Sequence, residues 1–473
     1  MRQATPAIPG FRGRTLTPGA PGYDRARRVR NARADRRPAL IARCTDVDDV
    51  IAVLAHARTR GLPVAVRGGG ANVAGWGTCD DGAVIDLGGM KRVDIDPVSR
   101  TAAVEPGLTW GELDAAVQEF GLAVPGPRNT DVGIAGHTLG GGVGDLSRRY
   151  GLTSDNVTFF DLVTADGRHV RADAEHHPDL FWALRGGGGN FGVVTRFGFR
   201  LHPVTGVVAG PLVHPADRAR TALRTARDWL ATAPDAASLI ALAWTAPPLP
   251  FVPRELHFER CVVLIPSWFG PPEQADAVLA PLRHGAVADG ITRLPYTAYQ
   301  RLLPSPPDVT RQHVYNRGEL LTELPDSTLD LLLGHWESAG PNFSLVLGAL
   351  GGAISRAPAG PTAFAHRDAQ WFVETCAQWY GDDADSPEHL DPARAAWQAL
   401  QDVTAGPYVN LLPDPEPRWV RAAYGDTAYA RLARIKAAWD PDNLFRFNAN
   451  IRPATAHRPL TADSPSTVKE NDR

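Results

Sequence analysis

Apolar positions recur at helical spacing from Thr45 onward, through Val47, Val50, Ile51 and Leu54, until Gly61 and Pro63 break the pattern. This predicts a helix with Thr45 as its cap. Val64 to Val66 then reads as a short buried strand and Ala83 to Leu87 as the next one. Asp96-Pro97 separates two alternating runs, VDI and TAAVEPG, which is the pattern of a hairpin. Thr109 is placed to cap the helix WGELDAAVQEF, and Gly121 to stop it. From Pro125 to Gly151 the chain is too glycine-dense for a regular helix or strand, whereas the stretch after Asn190 is β-branched and alternating. Beyond about Pro203 long apolar runs predict strands over Ser238 to Trp244, Cys261 to Phe269 and Phe343 to Leu350. Helices are expected over Pro272 to Leu282 and Thr362 to Tyr380. An amphipathic helix, TAYARLARIKAAWDP, closes the pattern at Asp440-Pro441-Asp442. Residues before about Arg37 show no period, the polar tail from Ala454 is expected to be disordered, and no repeat of solenoid or propeller length is present.

Composition narrows the class. The chain has 473 residues, 44% hydrophobic and 21% charged, enough for about two or three domains with sizeable cores. A formal net charge of -3 gives no electrostatic case for nucleic acid as a partner. Lysine occurs only at Lys91, Lys436 and Lys469, so the cations are nearly all arginine. Cys44, Cys79, Cys261 and Cys376 are far apart and form no metal or disulfide pattern, and no metal is expected. Neither a signal-peptide run nor a membrane-length apolar window is present, from which a cytoplasmic protein with no membrane partner is expected.

The candidate chemistry lies in three glycine clusters of the N-terminal half: Arg67 to Asn72 (RGGGAN), Val132 to Gly144 (VGIAGHTLGGGVG), and Gly186 to Val194 (GGGGNFGVV). Consecutive backbone N–H groups freed by glycine make nests for anionic oxygens, and three such loops suit a bulky diphosphate cofactor. No Gly-Lys-Ser/Thr follows any cluster, which excludes a nucleoside-triphosphate P-loop. A formal G-x-G-x-x-G at Gly187, Gly189 and Gly192 opens a strand rather than a helix, contrary to the dinucleotide fingerprint. HExxH, GxSxG and kinase signatures are absent.

The motifs PVAVRGGG, VEPGLTWGELD, GIAGHTLGGGVG, RRYGLTSDN, DLFWALRGGGGNFGVVT, YVN and KAAWDPDNLFRFNANI occur in order over about Tyr23 to Pro453. Together they resemble the FAD-linked oxidases of the berberine-bridge-enzyme type, within the vanillyl-alcohol-oxidase superfamily. The resemblance implies an α+β protein with a two-subdomain PCMH-type FAD-binding domain, an inserted α+β substrate domain built on an antiparallel sheet with flanking helices, and a C-terminal segment that returns to the FAD domain. The boundaries implied are an N-terminal extension to residue 37, the FAD domain over 38–204, the substrate domain over 205–404, the returning segment over 405–453 and a tail over 454–473. The implied FAD contacts are Arg67, Gly68, Gly69, Gly70, Ala71 and Asn72; then Val132, Gly133, Gly136, His137, Gly140, Gly141, Gly142 and Gly144; then Gly192, Val193 and Val194; and finally Asn448 and Asn450.

The chain departs from the family at three places. Members usually tether FAD through a histidine after the triple glycine, where this chain has Ala71, and some add a cysteine where it has Asn129. Neither residue can form the linkage, so FAD is expected to be held non-covalently, without the rise in reduction potential that the bond confers. His137 is expected to pack rather than to substitute for the tether. The family's Y-x-N-Y segment carries a tyrosine base at its end; here it reads Tyr408-Val409-Asn410-Leu411, leaving Tyr408 as the candidate donor or base. Tyr296, His313, Tyr315, His335 and His366 are further candidates that spacing alone cannot place. The reading is an FAD-dependent oxidoreductase moving a hydride from a small organic substrate, such as a sugar or secondary metabolite, with oxygen or an unknown acceptor completing turnover. A redox-neutral cyclase or isomerase, with FAD or its cavity in a structural role, and a non-enzymatic scaffold stay open as alternatives.

Overall fold

The computed structural model describes residues 7–303, 309–357, 360–414 and 416–455. The polar tail beyond Thr455 lies outside the described residues. The N-terminal half forms two small sheets and a two-stranded ribbon of Leu122–Ala123 with His202–Pro203. In the first, strands Leu40–Arg43, Ala83–Asp86 and Val64–Arg67 run parallel and Arg14–Leu16 pairs antiparallel at the edge, so the aperiodic N-terminal stretch contributes a strand. Helix Val47–Arg60 covers this sheet as its apolar spacing predicts, and Gly61 closes it with a positive φ of 63°. Its cap is Asp46 rather than Thr45: Asp46 accepts from the Asp49 N–H, while the Thr45 hydroxyl donates to Asp49. The second sheet is antiparallel, in the order Val93–Asp96, Thr101–Val104, Val193–Arg200, Val157–Val163, His169–Asp173. The expected hairpin is its first pair, and Thr109 and Glu112 cap the helix Trp110–Gln118 reciprocally.

From Val207 the chain builds a large antiparallel sheet of 10 strands. Ala237–Thr245, Phe343–Ala349, Trp371–Trp379 and His313–Leu321 are consecutive at its centre. Helices Ala219–Thr232, Asp326–Ser338 and Pro387–Gln398 pack on one face. The other face is turned toward the glycine loops. The helix expected over Thr362 to Tyr380 is corrected here: Trp371–Trp379 is a central strand, because WFVETCAQW alternates with period two and Trp371, Val373, Thr375, Ala377 and Trp379 are all buried beneath the helices. The segment Pro125 to Gly151 is less irregular than its composition predicts, since it contains the helical turns Ile134–Leu139 and Ser147–Tyr150. The terminal helix Pro417–Trp439 is broken at Gly425, whose φ of 67° and ψ of 156° lie far from helical values.

Buried polar contacts join the two halves. Arg128 pairs with Asp145 at 2.8 Å and donates to the Tyr299 hydroxyl at 2.5 Å. Gln300 donates to Asp114 and to the Pro127 carbonyl, both at 3.2 Å. Burial pushes the Asp114 carboxyl up to about 7. A folded-state value raised above the ordinary 3.8 means that this group's contribution to stability is full below that value and is lost as pH rises toward about 7. Asp114→Asn keeps the acceptor for Gln300 and removes the titration. Its urea midpoint is therefore expected to fall less between those pH values than that of the parent protein in parallel unfolding curves, the remaining fall belonging to other raised carboxyls such as Glu374.

Candidate functional site

The glycine loops converge because their backbones touch. Gly69 and Gly133 pack so closely that a Cβ added to Gly69 would stand 2.6 Å from the Gly133 Cα, and one added to Gly133 would stand 2.5 Å from the Gly69 nitrogen. The strand Val64–Arg67 delivers the first loop, and Arg67, 7% exposed, pins its base by donating to Asp86 at 2.9 Å across the parallel register. The second loop is held by Trp110 N–H to Val132 carbonyl and Ile134 N–H to Leu108 carbonyl bonds of 2.9 and 3.0 Å. Gly141 and Gly142 take φ of 103° and 81°, turning the chain after the helix Ile134–Leu139.

The C-terminal segment returns to these loops through a fully buried lysine. Lys436 donates to the Asn190 and Phe445 carbonyls at 2.7 and 2.9 Å and to Asp440 at 2.5 Å, while burial lowers its pKa against the pull of Asp440. Asn190 donates to the Gly187 and Ala449 carbonyls and accepts from the Ile451 N–H. Asn448 donates to the Gly189 carbonyl at 3.2 Å.

Between these loops and the large sheet lies one cavity of about 1030 Å³. Of the expected cofactor residues, Arg67, Gly68, Gly69, Gly70, Ala71, Asn72, Val132, Gly133, Gly136, His137, Gly140, Gly144, Gly192, Val194 and Asn448 line it. Gly141, Gly142, Val193 and Asn450 do not line it. The carboxamide oxygen of Asn448 and Nη1 of Arg67 are buried with no protein partner, which suits polar ligand atoms in the cradle. Volume, backbone nest and unpartnered polar atoms together fit FAD.

His137 is clamped, with Nε2 3.1 Å from the Val143 carbonyl and its ring edge-on to Trp110, and burial brings its pKa down to about 4. It is a neutral packing residue at the cavity wall. The Tyr408 hydroxyl receives N–H bonds from Asn410 at 2.9 Å and Val143 at 3.3 Å, yet burial outweighs them and carries the phenol up to about 12. Tyr408 lines the cavity as a protonated phenol at neutral pH. The other tyrosine and histidine candidates are elsewhere. His313 and Tyr315 alternate with the cavity-lining Val314 and Asn316 and so point to the far face of their strand. Tyr296 is buried in the apolar cluster that includes the wall residues Leu242 and Val346 but does not itself line the cavity, His335 is on a covering helix, and His366 contacts the Ala422 carbonyl.

The ionisable residues Glu374 and Arg30 line the cavity and escaped the sequence reading. Glu374 projects from the central strand Trp371–Trp379 into the cavity, in a cross-strand row with Leu242, Val346 and Gly318. Rows on either side hold Ile240, Gly348 and Phe372, and then Trp244, Ser344, Cys376 and Asn316. Burial in this wall pushes its carboxyl up to about 7, against hydrogen bonds with Cys376 and Asn316. A lone acid in an apolar alternating run is the signal that assigning this stretch to a helix concealed.

This architecture defines a flavin-dependent oxidoreductase of the PCMH and berberine-bridge type. Family models described as an FAD binding domain and as berberine and berberine like match residues 38–173 and 407–452. An uncharacterised FAD-linked oxidoreductase of Bacillus subtilis is 31% identical over 93% of this chain and 97% of its own. The (R)-6-hydroxynicotine oxidase of Paenarthrobacter nicotinovorans is 30% identical over 95% and 98%. The solved 6-hydroxy-D-nicotine oxidase of Arthrobacter nicotinovorans superposes with a TM-score of 0.84 at 29% identity, covering 94% of this chain and 98% of that one. A xylooligosaccharide oxidase of Myceliophthora thermophila shares the fold, with a TM-score of 0.81 at 24% identity over 94% and 98%. The chain belongs to the FAD-linked oxidoreductase family. The redox-neutral alternative finds no support among these relatives. Among the described residues no helix is long and apolar enough to cross a membrane.

The backbone contact at Gly133 is directly testable. Gly133→Ala is expected to part the two loops, costing about 1–3 kcal/mol of stability as overpacked sites do. It is also expected to abolish FAD uptake, read by melting temperature and by the visible spectrum after incubation with FAD.

Proposed function

We propose that the protein is an oxidase or dehydrogenase that holds FAD without a covalent bond and takes a hydride from a compact, largely apolar substrate bearing a hydroxyl or amino group. The observation that carries this reading is Glu374, the carboxyl that the large sheet presents to the cavity among Ile240, Leu242, Trp244, Val346 and Phe372, with Asn316 and Cys376 beside it. FAD, when bound, supplies the two-electron acceptor, and dioxygen or another acceptor restores it. Ionised Glu374 takes the substrate O–H or N–H proton as the neighbouring C–H bond gives up its hydride, which leaves a carbonyl or imine product. Its raised pKa suits that role, because the proton it accepts is then held near neutrality rather than being returned at once. Asn316, Ser344 and Gln378 lie on the flank of the wall and can orient the polar end of the substrate. The aliphatic and aromatic side chains of the wall favour a substrate with an apolar body, and Asn316, Ser344 and Gln378 are left to meet its few polar groups.

Non-covalent binding rests on Ala71 and Asn129, which both line the cavity and neither of which can bond to the flavin. Acid precipitation of the FAD-loaded protein is expected to leave a yellow supernatant and a colourless pellet; colour retained in the pellet sinks the reading. Ala71→His is expected to convert part of the FAD to an acid-stable form.

Glu374 sets the pH dependence. As a base it must be ionised, so kcat/KM for any alcohol or amine that bleaches the protein without oxygen is expected to rise through about 7 and level off above. Glu374→Gln is expected to lose this rise and to slow bleaching by about 10²–10⁴-fold, the usual worth of a general base. An unchanged profile would assign the proton to another group.

A further inference from the structure

Three arginines line the cavity, and one differs from the others. Arg67 is paired with Asp86 at 2.9 Å and Arg128 with Asp145 at 2.8 Å, so each carries its own counter-charge. Among the described residues Arg30 has no carboxylate at ion-pair distance. Its side chain makes one long hydrogen bond, Nη1 donating to the Asn129 carboxamide oxygen at 3.4 Å. Its backbone N–H donates to the Gly70 carbonyl at 3.0 Å, which fixes the residue against the first glycine loop. Burial disfavours its charge, and Asp131, exposed on the neighbouring loop, offsets this only at longer range. No lysine lines the cavity and His137 is neutral, so Arg30 is the uncompensated cation of the lining.

Arg30 is half-buried, and a guanidinium partly withdrawn from water with no ion-pair partner favours a ligand that brings negative charge. The position of Arg30 says which part of the ligand that is. It stands between the Gly70-Ala71 turn and Asn129, the two places at which the family's covalent bonds would form and where this chain has none. We propose that Arg30 is a cofactor-tuning residue: its guanidinium faces the flavin end of bound FAD and stabilises the negative charge that the ring gains on reduction, a role otherwise served by the covalent bond. This rests on the reading that FAD is bound non-covalently at Ala71 and Asn129. It goes beyond that reading in assigning the source of the compensating electrostatics.

Charge on the ring and charge on the pyrophosphate are separable. The pyrophosphate has the same charge in both redox states, so a cation beside it strengthens FAD binding alone. A cation beside the ring favours the reduced form and also favours sulfite, which adds to oxidised flavin and places negative charge on the ring. The test uses FAD-loaded parent protein, Arg30→Gln, Arg30→Met and Arg30→Lys, with sulfite as the probe. Dissociation constants for sulfite and for FAD, the midpoint potential by dye equilibration, and the melting temperature of each apoprotein are measured.

Both neutral variants are expected to weaken sulfite binding by roughly 10- to 100-fold, the order of effect of removing one charge from a partly buried site. Their midpoint potentials are expected to fall. Arg30→Lys stays within a few-fold of the parent, and the apoprotein melting temperatures do not move, since no ion pair is broken. FAD affinity that falls while sulfite affinity holds would place Arg30 on the pyrophosphate and overturn the proposal. Melting temperatures that fall in both neutral variants with sulfite affinity unchanged would make it a structural residue. A parent protein that takes up no FAD, or retains it through acid denaturation, overturns this proposal together with the reading beneath it. FAD released by acid with sulfite affinity unchanged in both neutral variants overturns this proposal alone.

Discussion

The contact on which the rest depends is backbone against backbone, where the loop after Val64–Arg67 meets the loop before Ile134–Leu139 at Gly69 and Gly133. Any side chain at either position would separate two segments that must approach to within a van der Waals diameter. That approach turns two independent nests of N–H groups into one continuous floor. The Lys436 cluster then closes the floor from below, because its three acceptors, on Asn190, Asp440 and Phe445, belong to the third glycine loop and to the returning C-terminal segment. A buried ammonium with all three protons donated has no comparable alternative arrangement, so the segment that carries Asn448 is fixed in register.

The large sheet completes the site with its free face. One face is covered by three helices and packed as an ordinary core, so the alternate residues of the same strands are left to form the cavity wall. Period-two alternation therefore places Glu374 in the cavity and its neighbours Val373 and Thr375 in the core. The sheet is held against the floor by the Arg128, Asp145, Tyr299 and Gln300 contacts rather than by a broad apolar interface alone. Buried pairs of this kind contribute little net stability, but breaking one strands a charge, which makes them effective at fixing a single orientation. The same pairing rule leaves the cavity lining electrically quiet except at Arg30 and Glu374.

Much of this was legible in the residues. The helix Val47–Arg60, the hairpin, the capping box at Thr109 and Glu112, and the strands around Ile240, Val263 and Leu347 follow their patterns closely. The glycine loops that line the cavity were legible too, since glycine density reports a local demand on the backbone. The exceptions share a cause. Asp46 and Thr45 are both competent caps, and which one serves depends on how the chain enters the helix. Thr362 to Tyr380 lacks strong turn residues and reads as helix until its partners on both sides pull Trp371–Trp379 into the sheet. Glu374 was hidden by that error, and Arg30 by lying in a stretch with no period at all.

What the sequence determined by itself is the residue chemistry of each segment: glycine-dense loops at three places, alanine at position 71, asparagine at 129 and leucine rather than tyrosine at 411. These are properties of single positions and their immediate neighbours, and they need no fold to be read. Only the tertiary structure decided which distant groups share one space, because a carboxyl, a phenol and a guanidinium acquire their roles from burial and from the partners they do or do not meet. It made Tyr408 a protonated phenol, His137 a neutral wall residue, Glu374 an acid poised near neutrality and Arg30 a cation without a counter-charge.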